Sequence, residues 1–404
     1  MELSPNHEIF LAVLRAALRN ERANPAVWAE DIQWEQLMHT AAAHKLLPMI
    51  VSAIPPECLP NARMMKQTVI RQVVEQTKKT REFLTLYNAM RAAGFHPLVL
   101  KGIVCRGLYP QGDLRPSSDE DLYVPDAEFA GCCEFLRNYG MQPTGEDSVD
   151  AYEIGWQKPG SLLYIELHRR LFSTDSAAYG DLESFFSASA DSAAAYPTEF
   201  RAEVSSMCPH DHMLYLLLHA YKHFVHSGFG IRQICDIGLW ARKYHGQIDW
   251  DLLAQQCGIC CARQYAAAVL GIAEHYLAIP MDLPQSWRTE KEFCEPLLAD
   301  VLTGGVYGAA DSDRLHSATV TLNAVRADRT GGRNSIWNSL FLDRGEMEKK
   351  YPYLNKYPFL LPFAWIQRIW QYLTRKGNAG SSIATSVTIG NERVRLLRTY
   401  GIIE

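Results

Sequence analysis

Apolar side chains recur every three or four positions through WEQLMHTAAAHKLLPMIVSAI (34–54), the spacing of one helix face, and PPECLP (55–60) breaks the pattern. The same period runs from Met64 to Ala93 and halts at Gly94, a residue suited to the left-handed turn that closes a helix. Residues 1–93 are therefore predicted to be helical. The texture then changes. HPLVLKG (96–102) is a short apolar run and predicts a buried strand. IVCRGLY predicts a short helix, PQGDLRPSS a loop, and DEDLYVP a second strand. DAEFAGCCEFLRNYG predicts a helix with Asp126 as its N-cap and Gly140 as its stop.

Residues 151–170 predict two antiparallel strands around the turn KPGS. The second, LLYIELHRRL, alternates: Leu163, Ile165 and Leu167 share one face, Tyr164, Glu166 and His168 the other. From about 205 to 280 the period is helical again, and the tail from 284 mixes helices with breaks such as TGG, RTGGRNS and KGNAGSS. The expected organisation is a helical region (1–93), a small α/β unit (94–204), a helical domain (205–283) and a mostly helical C-terminal region (284–404), with no fixed-period repeat.

Composition changes this picture little. A chain of 404 residues with 48% apolar and 21% charged residues has the make-up of an ordinary globular protein. Its net charge of −5 gives no electrostatic case for wrapping a long nucleic acid, although a local basic pocket stays open. Most of the ten cysteines fall in apolar helical text; CGICC (257–261) holds a C-x-x-C without a second pair at zinc spacing, so buried helix residues are expected there. The start, MELSPNHEIF, lacks the basic-then-apolar pattern of a secretory signal, and with reduced thiols this points to the cytoplasm. No apolar run reaches the ~20 residues of a membrane span. The nearest, YPFLLPFAWIQRIWQYLTRKG (357–377), carries Arg368 and Gln371 mid-helix. It is expected to dock its aromatic face on the rest of the protein; contact with a membrane surface is the alternative.

The candidate chemistry lies in LRPSSDEDLYV (114–124). In an extended chain Asp119 and Asp121, at i and i+2, face one way and Glu120 the other. Crowding two like charges is costly unless a cation sits between them. Glu166 on a neighbouring strand adds a third carboxylate, and Lys101-Gly102 forms a strand-to-helix turn upstream. Such a set suits metal-assisted phosphoryl transfer, with carboxylates holding Mg²⁺ or Mn²⁺ and the turn's backbone N–H groups holding a triphosphate. Arg115 either clamps a phosphate or pairs with a carboxylate. HAYKHF places His219, Lys222 and His223 on one helix face, and Arg232 and Asp236 share the same spacing on the next helix. They form either a polar wall over the cleft or a hydrogen-bond network between the helices. PHDH (209–212) contains a His-Asp pair, but Asp211 follows a proline at a helix start and is expected to be an N-cap.

LVLKG (98–102), YP (109–110), LRPSSDEDLYV (114–124), IELH (165–168) and HAYKH (219–223) resemble the bacterial uncharacterised nucleotidyltransferase family, within the DNA-polymerase-β-like superfamily. The tail KKYPYLNKYPFLLPFAWIQRI is similar to that family's C-terminal region, so the resemblance covers most of the chain. It implies an α+β fold: a small mixed sheet with helices, flanked by N-terminal and C-terminal helical regions. It implies metal ligands and catalytic residues at Asp119, Asp121 and Glu166, and NTP held by Lys101, Gly102, Arg115, Ser117 and Ser118. His168, His219, Lys222 and His223 are candidate acceptor or nucleotide contacts. Lysine stands at 101 where the superfamily usually has serine, and serves as a phosphate point charge. The implied reaction moves a nucleoside monophosphate from NTP to an acceptor such as a small molecule, peptide or glycan precursor. Two other readings stay open: an inactive relative that binds nucleotide or a partner protein, and a toxin-like enzyme acting on tRNA or protein.

Overall fold

The computed structural model describes the chain apart from residues 1–2, 29–31, 146–150, 174–178, 227, 306–320, 323, 326–343, 345–346, 349–350, 352 and 375–382. The breaks RTGGRNS and KGNAGSS lie outside the described residues.

The amino-terminal region is helical, as its period requires. Helix α1 (Pro5–Leu18) begins where the Ser4 hydroxyl accepts from His7 N–H and Pro5 fills the first turn. It buries Phe10, Val13 and Leu14 against α2 (Trp34–Ala43) and α3 (Leu47–Ala53). Helix α4 (Ala62–Ala92) spans 31 residues, roughly 46 Å at 1.5 Å per residue. It ends before Gly94, whose φ of +90° is the expected left-handed stop.

The α/β unit follows: β1 (Leu98–Val99), α5 (Gly102–Arg106), β2 (Glu120–Tyr123), α6 (Asp126–Asn138), β3 (Gln142–Thr144), β4 (Glu153–Gln157) and β5 (Tyr164–His168). The five strands form one mixed sheet in the order β1-β2-β5-β4-β3. Only the central β2–β5 pair is parallel, and its register sets Asp121 opposite Glu166 and Tyr123 opposite His168. The expected hairpin around KPGS is β4–β5. A separate two-stranded sheet, β6 (Ala194–Pro197) and β7 (Glu203–Ser206), precedes α7, so the helical stretch expected from about 205 starts a few residues later, at Pro209.

Helices α7 (Pro209–His226), α8 (Ile231–Tyr244), α9 (Trp250–Ile259), α10 (Arg263–His275) and α11 (Lys291–Gly304) pack beside the sheet around Trp240, Tyr221 and Tyr265, all wholly buried. Near the carboxyl end, helix Ile383–Thr399 brings in Arg393, wholly buried, which donates to the carbonyls of Phe224 and His226 at the end of α7. It thereby satisfies acceptors that a helix terminus leaves open.

Two local expectations are corrected. Asp126 is the first residue of α6 and Pro125 holds the cap position; the Asp126 carboxylate pairs with Arg169 instead. Helix α7 starts at Pro209, a residue favoured at the first helical position, so Asp211 lies in the first turn and accepts from Ser189 and Ser192. In helix Leu361–Thr374 the described side chains are those of residues 361–367. Leu361, Ala364 and Trp365 pack with Met347, Tyr351 and Leu354 in a small cluster of their own, while Phe363 and Ile366 face solvent. Cys257 and Cys260 are buried at the end of α9, as expected of core thiols.

Candidate active site

Strand β2 is where the sheet meets the helical domain. Strand pairing begins at Glu120, so Asp119 is the last residue of the incoming loop and not a strand residue. That loop is held from the amino-terminal side. Lys79 of α4 donates to the carbonyls of Ser117 (2.5 Å) and Ser118 (3.2 Å), and Gln76 accepts from Ser117 N–H at 2.9 Å. Lys45, between α2 and α3, bonds the Ser118 hydroxyl. From the other side, Arg232 of α8 donates to the Pro116 carbonyl. Arg115 makes a two-pronged pair with Asp236, Nε to Oδ1 at 2.9 Å and Nη2 to Oδ2 at 2.5 Å. Burial would lower the Arg115 pKa, but the facing Asp236 carboxylate raises it well above the ordinary value. Arg232 and Asp236 of α8 thus bond the loop.

Glu120 points behind the sheet and is wholly buried. It accepts from Arg106 Nη1 at 2.7 Å, the Ser117 hydroxyl at 2.9 Å and Ile103 N–H at 2.8 Å. Arg106, equally buried, also donates to Ser117 Oγ at 2.6 Å and Thr80 Oγ1 at 3.1 Å. The Lys101-Gly102 turn is built onto this carboxylate. Gly102 has φ +47°, and a Cβ there would lie 1.8 Å from Glu120 Oε2, so only glycine fits.

Asp121 points forward and is 2% exposed. Lys101 Nζ lies 3.2 Å from its Oδ2 and also donates to His219 Nε2 at 3.1 Å. His223 Nε2 stands 3.2 Å from the same His219 nitrogen. His168 Nε2 lies 3.4 Å from Asp121 Oδ1 and 3.7 Å from Glu166 Oε2, and its Nδ1 lies 3.3 Å from Glu153. Neither His168 nitrogen nor Asp121 Oδ1 has a hydrogen-bond partner of good geometry, although all three are buried. Lys101, Gly102, Asp119, Asp121, His219 and Arg232 line one cleft. Arg115 and Ser117 reach its wall, Ser118 is exposed on the loop's other side, and Lys222 stands over the Tyr152 ring at 5.8 Å.

The electrostatics follow from this crowding. Burial pushes the Asp121 carboxyl up, but the Lys101 ammonium and the His168 ring outweigh it and hold it below the usual carboxylate range. The Glu166 carboxyl is pushed up to about 7 by burial and by the Asp121 and Asp119 charges. Burial, with Lys101 nearby, keeps His219 and His223 well below the ordinary imidazole value, so both are neutral at pH 7.

A family model described as uncharacterised nucleotidyltransferase matches residues 30–278, more than half of the chain. The chain belongs to this family. No curated protein matches it. The matched span takes in both the sheet and helices α7 to α10, the two walls of the cleft.

In this family member, one ligand atom each from Asp121, Glu166 and His168 can be chosen so that all lie within 4.8 Å of one another, a spacing open to a metal ion. Two observations fit a cation there: a buried carboxylate oxygen without a donor, and a Glu166 carboxyl raised by its like-charged neighbours. His168 enters as a candidate ligand, whereas the sequence marked it only as a contact. Four further residues had no marked role: Glu120, Arg106, Lys45 and Lys79. Lys79 lies within the long amphipathic period of α4, where a polar residue reads as solvent-facing.

Proposed function

We propose that the chain is a divalent-cation-dependent nucleotidyltransferase that passes a nucleoside monophosphate from NTP to an acceptor. The observation that carries this reading is the β2–β5 register, which sets Asp121 directly opposite Glu166 beside the Lys101-Gly102 turn. Asp121, Glu166 and His168, joined by Asp119 from the loop, are the residues that would hold Mg²⁺ or Mn²⁺. A cation bound there supplies positive charge to the phosphate oxygens.

Lys101 is placed to exchange its Asp121 partner for a triphosphate oxygen, with neutral His219 accepting from it and limiting where it swings. Arg232 offers a second positive charge on the same cleft. The hollow at the carboxylates is small, about 30 Å³, room for an ion or a water but not for a nucleotide. The sugar and base therefore lie toward its mouth. The acceptor oxygen attacks the α-phosphorus, the bond to the bridging oxygen breaks, and pyrophosphate leaves. The acceptor proton passes to Glu166, opposite Asp121 in the sheet, as general base. Arg115, committed to Asp236, shapes the loop and leaves phosphate binding to Lys101.

The Lys101–Asp121 ion pair favours one second reading, a relative that binds nucleotide and no longer transfers it. Calorimetric titration with Mn²⁺, alone and with each NTP, followed by transfer of label from α-labelled NTP in lysate fractions, tests both. Tighter NTP binding with Mn²⁺, lost in Asp121→Asn, together with label transfer is the expected result. Metal-dependent binding without transfer or pyrophosphate release selects the second reading, and NTP affinity indifferent to metal overturns both.

A further inference from the structure

Between Glu348 and Glu392 the chain has no Asp or Glu, yet it carries Lys349, Lys350, Lys356, Arg368, Arg375 and Lys376. This basic stretch belongs to a chain whose net charge is −5. It is also aromatic, with Tyr351, Tyr353, Tyr357, Phe359, Phe363 and Trp365 within fifteen positions (351–365). Its described residues form a hydrophobic cluster separate from the main core. Having packed Tyr351, Leu354 and Ala364 inside that cluster, the segment leaves its other side open. Phe359 is 75% exposed, Ile366 64%, Phe363 62% and Tyr357 43%. Phe363 and Ile366 share a face of helix Leu361–Thr374, and Phe359 sits in the single turn just before it. Lys356 is exposed beside them, its ammonium over the Tyr357 ring.

Leaving two phenylalanines and an isoleucine in water on one short segment forgoes burial that most of the chain's apolar residues achieve. The helix has 14 residues, about 21 Å, well short of the ~30 Å hydrocarbon core. No helix among the described residues is long and apolar enough to cross a membrane. We propose that the Phe359–Phe363–Ile366 side of this segment seats the protein on an anionic bilayer surface, dipping into the acyl boundary while the positive charge of the segment draws it to lipid phosphates.

The pairing of an exposed apolar stripe with a stretch of sequence that carries six basic and no acidic residues is what an anionic interface selects. A second copy of this chain is the weaker fit, because a two-fold contact would bring the same positive segment against itself. This inference is independent of the transfer chemistry proposed above.

Sedimentation of the full chain with vesicles of phosphatidylcholine alone, and of phosphatidylcholine mixed with phosphatidylglycerol, is the direct test. Binding is expected to the mixed vesicles, weak with phosphatidylcholine, and weakened by salt, which shortens the screening length from about 10 Å at 0.1 M to about 3 Å at 1 M. Phe359→Ser with Phe363→Ser and Ile366→Ser should lower partition at least tenfold. Lys349→Gln with Lys350→Gln and Lys356→Gln should lower it roughly a hundredfold on mixed vesicles only, at about fivefold per basic residue. The serine variant alters exposed side chains outside the main core, so its thermal unfolding should be unchanged. If the serine variant unfolds, the glutamine variant alone decides. Absent vesicle binding, or equal binding of wild type and the glutamine variant, overturns the proposal. So does a dimer in sedimentation velocity that the serine variant abolishes while vesicles are never bound.

Discussion

The two faces of β2 carry one carboxylate each, and the two are treated in opposite ways. Behind the sheet, Glu120 meets a guanidinium, a hydroxyl and a backbone N–H within 2.9 Å, and its surroundings are closed. In front, Asp121 keeps a buried oxygen without a donor, faces a Glu166 carboxyl pushed up to about 7, and shares its single ammonium with a neutral His219. Adjacent residues of one strand thus separate two tasks. A buried charge whose hydrogen bonds are complete holds a turn in place; one whose partners are incomplete waits for an external charge.

The contrast is broken most severely from behind. Arg106→Met leaves Glu120 buried without its cation and should cost about 3–5 kcal/mol of stability, read by urea unfolding. Combining it with Glu120→Gln should recover part of that loss. A loss below about 1 kcal/mol in the single variant would show that Glu120 is not held as the geometry indicates.

In front, Glu166→Gln should leave the fold intact, weaken Mn²⁺ binding and lower label transfer by about a hundredfold or more. Transfer that survives would move the base elsewhere. Lys101→Ala should weaken triphosphate binding by about 1–3 kcal/mol while leaving nucleoside binding unchanged, as measured by calorimetry. Equal weakening of both would make Lys101 a structural partner of Asp121.

The smallest effect is in pH. The Glu166 pKa is raised from an unfolded value of about 4.3 to about 7 in the folded protein, so the folded state binds the extra proton in that window. Metal-free protein should therefore lose stability as pH rises from about 4.3 to about 7, and Glu166→Gln should flatten that slope. Asp121 acts oppositely: its lowered pKa adds stability that is present above the ordinary carboxylate range and lost as pH falls below it. Mn²⁺ affinity should rise with pH through about 7, as the Glu166 proton leaves.

Much of the front face was legible in the sequence, because strand alternation is local. Tyr164, Glu166 and His168 share a face by their spacing alone, and β4–β5 folds as the turn KPGS requires. The i, i+2 spacing marked the aspartates in the same way, and the resemblance to the family added a phosphate-binding role for Lys101. The back face was not legible. Glu120 and Arg106 are 14 residues apart, and nothing periodic links a short helix to the strand after a loop. Arg115 and Asp236 are 121 residues apart, so their spacing on separate elements could not announce the pair. Asp119 was misplaced by one step, since alternation says which residues share a face but not where pairing starts. Helix Leu361–Thr374 shows a similar limit. Amphipathic spacing identifies an apolar side without saying what it meets.

Helix α4 has a practical consequence for anyone dividing this chain. Its Gln76, Lys79 and Thr80 reach forward in sequence to Ser117, Ser118 and Arg106. A fragment beginning at Gly94 would look like a complete small sheet with its carboxylates, yet it would have lost the clamp on the loop that delivers Asp119. Such a fragment is expected to be protease-sensitive at residues 115–119. A cut at Pro55–Pro60, before the helix begins, keeps that clamp but loses the Lys45 contact to Ser118 and the bonds that Arg15, Asn20 and His44 make to Tyr276, Gln111 and Ile231.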